Sequence, residues 1–142
     1  MSKQIDPRGP RFGAGVTTIV VATALIALPS PLSATLLAVQ LVAHGLGAFA
    51  GLSAQPYGVI YRKVIQPRLP KPTQLEDEAP PKFAQLVGFI FAVAALSADA
   101  SGQIGLAKIV VALHLAASFL NVAFNFCLGC QMYLIGKRII NN

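Results

Sequence analysis

The run from Ile104 to Cys127 reads IGLAKIVVALHLAASFLNVAFNFC, with Lys108 its only charge. A helix needs about 17–25 apolar residues to cross the hydrocarbon core of a bilayer, and this run is long enough. Its apolar residues form a block instead of an amphipathic stripe, which points to lipid as the solvent. Three further runs stand upstream: Phe12–Leu28, Leu32–Leu52 and Phe83–Leu96. The first and third are short and rely on their flanks or on local thinning of the bilayer. The chain as a whole is 55% hydrophobic and 11% charged, with a mean hydropathy of +0.66, whereas soluble domains carry about 25% charged residues. Ala and Gly recur in every run, which lets helix backbones pack closely. A barrel would need alternating segments of about 10 residues instead.

The predicted fold is therefore all-α: a polytopic membrane protein, a single integral domain over 1–142. Helices are expected over about 12–30, 32–53, 83–99 and 104–127, arranged as two hairpins. Residues 54–82 are expected to form a cytoplasmic loop. Its first part, Pro56–Gln66, alternates apolar residues with Arg62 and Lys63 and reads as a short amphipathic segment in the interface plane. Its second part, Pro67–Pro81, is proline-rich and reads as an extended, semi-rigid connector.

Charge sets the expected orientation. Lys3, Arg8, Arg11, Arg62, Lys63, Arg68, Lys71, Lys82, Lys137 and Arg138 all fall on one side of a four-helix path, leaving only Lys108 near the other. The positive-inside rule then puts both termini and the central loop in the cytoplasm, with the chain integral to the cytoplasmic membrane. The net charge of +6 follows from this topology and does not point to nucleic acid. Pro29-Ser30-Pro31 is a poor cleavage site, so the first run reads as a retained helix and not a signal peptide.

The two halves resemble each other. Pro10-Arg11-Phe12 aligns with Pro81-Lys82-Phe83, His44 and Phe49 with His114 and Phe119, and Arg62-Lys63-Val64-Ile65 with Lys137-Arg138-Ile139-Ile140. Two readings stand: a duplicated hairpin whose halves are related by an axis along the membrane normal, or a boundary pattern common to membrane helices.

Cys127 and Cys130 are the only cysteines and form a C-x-x-C pair just past the fourth run. This spacing brings two sulfurs to one face, one turn apart. A thiolate here would be the chain's one intrinsic nucleophile, and Cys130, as the more exposed, is expected to attack while Cys127 resolves. A helix C-terminus opposes ionisation, an objection that weakens if the helix breaks near Gly129 and a new turn begins. A metal would need two further ligands, and two small apolar residues packed at a helix end is the bland alternative. On the cytoplasmic side a permanent disulfide is not expected.

His44 and His114 lie inside membrane runs at similar depth, with Gln40 one turn before His44. Intramembrane ionisable residues face the bundle interior. The pair could make interhelical hydrogen bonds, hold a haem or a metal, or serve a proton or quinone step. Asn121, Asn125 and Gln131 extend a polar strip toward the cysteines, readable as helix–helix contacts or as a route to the dithiol. Tyr133 reads as an interfacial anchor. Asp6 and Arg8, with Arg68 and Glu76 in the loop, are candidates for a clamp tying the N-terminus to the loop. No nucleotide-binding, hydrolase or zinc-protease signature is present.

Asp6-Pro7-Arg8, Pro67-Arg68, Glu76 with Pro80-Pro81-x-Phe83-Ala84-Gln85, and Cys127-Leu128-Gly129-Cys130 with Tyr133 together span most of the chain. In this combination it resembles an uncharacterised bacterial four-helix membrane family, a domain of unknown function. The resemblance implies no established activity. It does imply company with thioredoxin-like and sulfurtransferase proteins. The leading expectation is a membrane dithiol protein in thiol redox or sulfur transfer with a cytoplasmic thioredoxin-like partner. The alternatives are a non-catalytic accessory subunit of a larger membrane complex or homo-oligomer, and a small haem or quinone protein using His44 and His114.

Overall fold

A computed structural model describes residues 3–141. The domain expected over 1–142 also takes in Met1, Ser2 and Asn142, which lie outside the described residues. The chain is all-α apart from one two-stranded ribbon. In order it forms β1 (Gln4–Ile5), α1 (Arg8–Ala27), α2 (Pro31–Gly45), α3 (Pro56–Ile60), β2 (Glu76–Asp77), α4 (Ala79–Ala100), α5 (Ile104–Phe124) and α6 (Leu128–Ile140). A π-helical turn, Leu46–Ala50, prolongs α2, and another, Tyr61–Ile65, prolongs α3. Among the described residues four helices are long and apolar enough to cross a membrane: Arg8–Ala27, Pro31–Ala50, Ala79–Ala100 and Ile104–Phe124.

These four pack in a ring. α1 lies against α2 and α5, and α4 lies against the same two from the other side. α6 lies against α4, and α3 against α1. Outward faces carry large apolar side chains in the open, among them Ile26 at 87% and Ile19 at 69% exposure. Water would penalise such faces at about 25 cal/mol per Å² of apolar surface, whereas lipid does not.

The interior is divided by depth. Toward the short turns at residues 28–30 and 101–103 the core is dry: Val21, Ala24, Leu28, Leu37, Ala95, Ala98, Ala107 and Val111. Six of these eight are Ala or Val, so the helices approach closely. Ser33 ties α2 to α1 here, its Oγ donating to the Ala24 carbonyl at 2.8 Å. Toward the other end Thr17, Gln40, His44, His114 and Ser118 are buried, and the core becomes polar.

Some boundaries differ from those expected, for physical reasons. α1 begins at Arg8 and not near residue 12, and α4 at Ala79 and not near residue 83. The prolines Pro10, Pro80 and Pro81 lie in first turns, where no intrahelical N–H is needed and a fixed φ suits the helix. The proline-rich connector is therefore shorter than expected. It also contains β2, which pairs antiparallel with β1 (Gln4 opposite Asp77, Ile5 opposite Glu76). The fourth run ends at Phe124, because Asn125 turns left-handed (φ 55°) and its N–H closes on the Leu120 carbonyl. Arg11 of α1 also donates to the Val122 carbonyl at 3.0 and 3.2 Å, covering that helix end with positive charge.

Candidate functional site

The reversal at Asn125 changes the chemistry of the cysteines. Cys127 does not end a helix; it is the N-cap of α6, and its Sγ accepts the Cys130 N–H at 3.2 Å. The objection from a helix C-terminus is removed, because partial positive charge at a helix start favours a thiolate. The two sulfurs lie at disulfide distance, with Cα atoms 5.2 Å apart. Gly129 between them is buried against α4, where an added Cβ would stand 2.6 Å from Ala84 Cα. The glycine is thus what lets the start of α6 dock on α4.

His44 sits one helical turn deeper along α4. Its Nδ1 is 2.9 Å from Gln85 Oε1 and its Nε2 3.0 Å from Gln40 Nε2. Gln85 Oε1 can only accept and Gln40 Nε2 can only donate, so the network is consistent with a neutral imidazole carrying its proton on Nδ1. Gln40 also donates to Thr17 Oγ1 at 3.3 Å and accepts from the Tyr57 hydroxyl. Both amide atoms of Gln40 and both ring nitrogens of His44 are therefore occupied. Gly88 makes room for it, since a Cβ there would fall 2.7 Å from the His44 ring.

His114 is brought beside His44, with ring centroids 5.1 Å apart, and stacks on Phe91 at 5.6 Å with planes 22° apart. It is 6% exposed, and among the described residues nothing hydrogen-bonds to its ring. Both nitrogens of His44 are committed to glutamines, so ligation of one haem by the pair would require those bonds to break. Among the described residues no group of three or more His, Cys, Asp or Glu side chains is placed to hold a metal ion.

A cavity of about 670 Å³ joins the two expected sites: His44, His114, Asn121, Asn125, Cys127 and Cys130 all line it. The polar strip read along the fourth run does border a route from the histidines to the cysteines. Ser118 also lines this cavity, but its hydroxyl is held by the Leu115 carbonyl at 3.1 Å.

The clamp is built from fewer residues than expected, and partly from others. Asp6 accepts from Arg8 Nε at 3.0 Å and Nη2 at 2.9 Å, from the Tyr61 hydroxyl at 2.8 Å and from Gln66 Nε2 at 3.2 Å. Arg8 Nη2 donates onward to the Pro70 carbonyl at 3.0 Å. Arg68 is exposed and takes no part, and Glu76 contributes through its backbone in β2. Partial burial alone would raise the Asp6 carboxyl. The Arg8 hydrogen bonds, the Tyr61 hydroxyl and the Arg8 charge outweigh it and hold the carboxyl at about 2. Burial first and the bond to Asp6 second push the Tyr61 phenol up to about 12, so it stays a donor.

Tyr57, Thr17 and Gln55 were not singled out as site residues from the sequence, and Gln85 entered only through the family pattern. For Gln85 a signal was present: an amide inside an apolar run is costly unless it is partnered. Tyr57 lay in the stretch Pro56–Gln66 read as interfacial, with Gln55 just before it, and only the folding of α3 back onto α1 buries the tyrosine.

No curated protein and no solved structure matches the chain. The family described as Domain of unknown function (DUF4395) matches residues 5–138, and the chain belongs to that family.

Proposed function

We propose that the protein is a membrane thiol–disulfide exchanger whose Cys127–Cys130 pair reacts with a thioredoxin-like partner at the cytoplasmic face. The observation that carries this reading is Cys127 as the N-cap of α6 with its partner cysteine three residues on. Sidedness is supported by charge: Lys3, Arg8, Arg11, Arg62, Lys63, Lys82, Lys137 and Arg138 cluster toward the dithiol end, away from the short turns. α6, with exposed Met132, Ile135 and Ile139 and basic Lys137 and Arg138, suits the membrane interface.

The helix start favours Cys127 over Cys130 as the sulfur that meets the partner, reversing the order expected from exposure alone. A partner thiolate attacks Cys127 Sγ, the Cys127–Cys130 bond breaks, and Cys130 leaves as a thiolate and takes a proton. The partner's second thiol then attacks the mixed disulfide. The partner leaves oxidised, and two electrons and two protons remain on Cys127 and Cys130. The reverse sequence reduces a partner disulfide.

The test is trapping in intact membranes. Cys130→Ala should accumulate a mixed disulfide on Cys127, and Cys127→Ala should trap far less. If neither variant traps a partner, and the double Ser variant keeps full function, the reading fails. A persulfide on Cys127 in the same mass spectra would assign sulfur transfer in place of electron transfer.

A further inference from the structure

We infer that the cavity between the histidines and the dithiol is a binding site for a lipid-soluble quinone, which exchanges electrons with Cys127 and Cys130. The inference rests on the dithiol reading above and names its second substrate.

His114 provides the first argument. It is an imidazole 6% exposed, lining a cavity, with no hydrogen bond among the described residues. Among the described residues no fully buried side-chain nitrogen or oxygen lacks a partner, so its ring nitrogens open onto the cavity, where a neutral ring offers one N–H donor and one acceptor. Its neighbour His44 does not need it, being saturated by Gln40 and Gln85. The imidazole is thus free to bond to something else in the cavity.

Shape and surroundings are the second. Phe91 and His114 stack nearly parallel, which gives the deep end a flat wall suited to a planar ring. Leu113, Met132 and Leu134 also line the cavity and are exposed on the outer surface of the helices. Part of the cavity rim is therefore apolar, beside a polar part with Arg11, Glu76 and Asp77, and the volume of about 670 Å³ falls in the ordinary range of small-molecule sites.

Register along α4 is the third. Gly129 packs at Ala84, while His44 packs at Gln85 and Gly88. Four residues of helix rise about 6 Å. The dithiol and the histidine pair are thus separated by about one helical turn along α4, within the span of one substituted ring and its carbonyl oxygens.

Chemistry selects the class. A dithiol gives up two electrons and two protons together. The acceptor must take both, dissolve in lipid, be planar and present a hydrogen-bond acceptor to His114. A quinone meets all four requirements. In the step, the Cys127–Cys130 bond forms, the two thiols are oxidised, and the electrons and protons reduce the quinone to hydroquinone. Coupled to the exchange above, partner dithiol plus quinone gives partner disulfide plus hydroquinone.

The test uses the full chain in nanodiscs, reduced and freed of reductant, then mixed with a fully substituted benzoquinone bearing a decyl tail. Full substitution removes the site for simple thiol addition. Wild type should reduce one quinone per disulfide formed, and Cys127→Ser none. His114→Phe should slow the reaction about tenfold, as loss of one buried hydrogen bond allows. His114→Gln, which keeps an N–H donor, should recover part of the rate. A photoreactive quinone should label the His114 and Cys127 peptides of the wild-type protein, so the site remains testable if a variant misfolds. In parallel, the wild type is offered a thioredoxin-like dithiol. Exchange with that dithiol, without quinone reduction or labelling, overturns this inference alone. Failure of both reactions overturns the dithiol reading as well. A cavity that holds only phospholipid in native mass spectra, and that quinone does not displace, also overturns it.

Discussion

The helix starts at Gln55 and Cys127 are built alike and used differently. In each, a side chain caps the N–H three residues on: Gln55 takes Gly58 at 2.9 Å and Cys127 takes Cys130 at 3.2 Å. Each helix then sets a tyrosine against a phenylalanine at the head of a long helix, Tyr61 on Phe12 and Tyr133 on Phe83, both at 5.9 Å. Around Gln55 the side chains are tied down, although Asp6, Gln55, Tyr61 and Gln66 border a smaller cavity of about 310 Å³. Gln55, Tyr57 and Tyr61 are buried, and the two tyrosines are bonded to Gln40 and Asp6. Around Cys127 the cap is itself the reactive group, α6 is mostly exposed, and the cavity opens beside it. One construction thus serves as a staple in the first half and as a working end in the second.

The comparison breaks most sharply if the working end is converted into a copy of the staple. Cys127→Gln keeps a side-chain acceptor at the cap and removes the nucleophile. Thiol exchange should fall below detection, while the melting temperature in detergent stays within a few degrees, since a preserved cap forfeits little of its usual value of about 1 kcal/mol.

Glycine packing separates the two starts next. Gly129→Ala would press a methyl against Ala84 backbone at 2.6 Å, a contact that yields only if α6 shifts. Thermal denaturation should show a loss of about 1–3 kcal/mol. Gly58→Ala meets the tip of Arg62 at 3.1 Å, a flexible side chain that can move. The same assay should find it neutral or slightly stabilising, because alanine suits a helix better.

The staple itself is tested by pH. The Asp6 carboxyl lies at about 2 in the folded chain against an ordinary 3.8. Its contribution is therefore complete above about pH 4 and is lost as pH falls toward 2. Asp6→Asn should cost about 1 kcal/mol at neutral pH and flatten that acid limb of the melting-temperature profile. The smallest loss expected is from Tyr57→Phe, which removes one donor to Gln40. Membrane hydrogen bonds average about 0.6 kcal/mol, and the same denaturation assay should return a value near that.

Much of this was legible in the sequence, and the gaps have causes. The four long helices were readable because continuous apolar runs need only length to be recognised. The meeting of His44 with His114 followed from equal depth. The Asp6–Arg8 clamp followed from opposite charges beside a helix start. The break weighed near Gly129 lies instead at Asn125, because Asn125 extends an apolar run that looks helical through Phe126, and a left-handed turn at one asparagine leaves no periodic trace. The partners Tyr61 and Gln66 were missed because the folding of residues 56–68 against α1 depends on tertiary packing, which no local pattern encodes.

The central claim is that the Cys127–Cys130 pair cycles between dithiol and disulfide. It is tested most directly by acid-quenching intact cells, alkylating free thiols with a heavy reagent, reducing, and alkylating again with a light one. Mass spectrometry of the peptide spanning Cys127 and Cys130 then gives the oxidised fraction. The expected result is a substantial oxidised fraction that rises with oxidant and falls when the quinone pool is kept reduced. A pair that stays fully reduced under every condition would contradict the account.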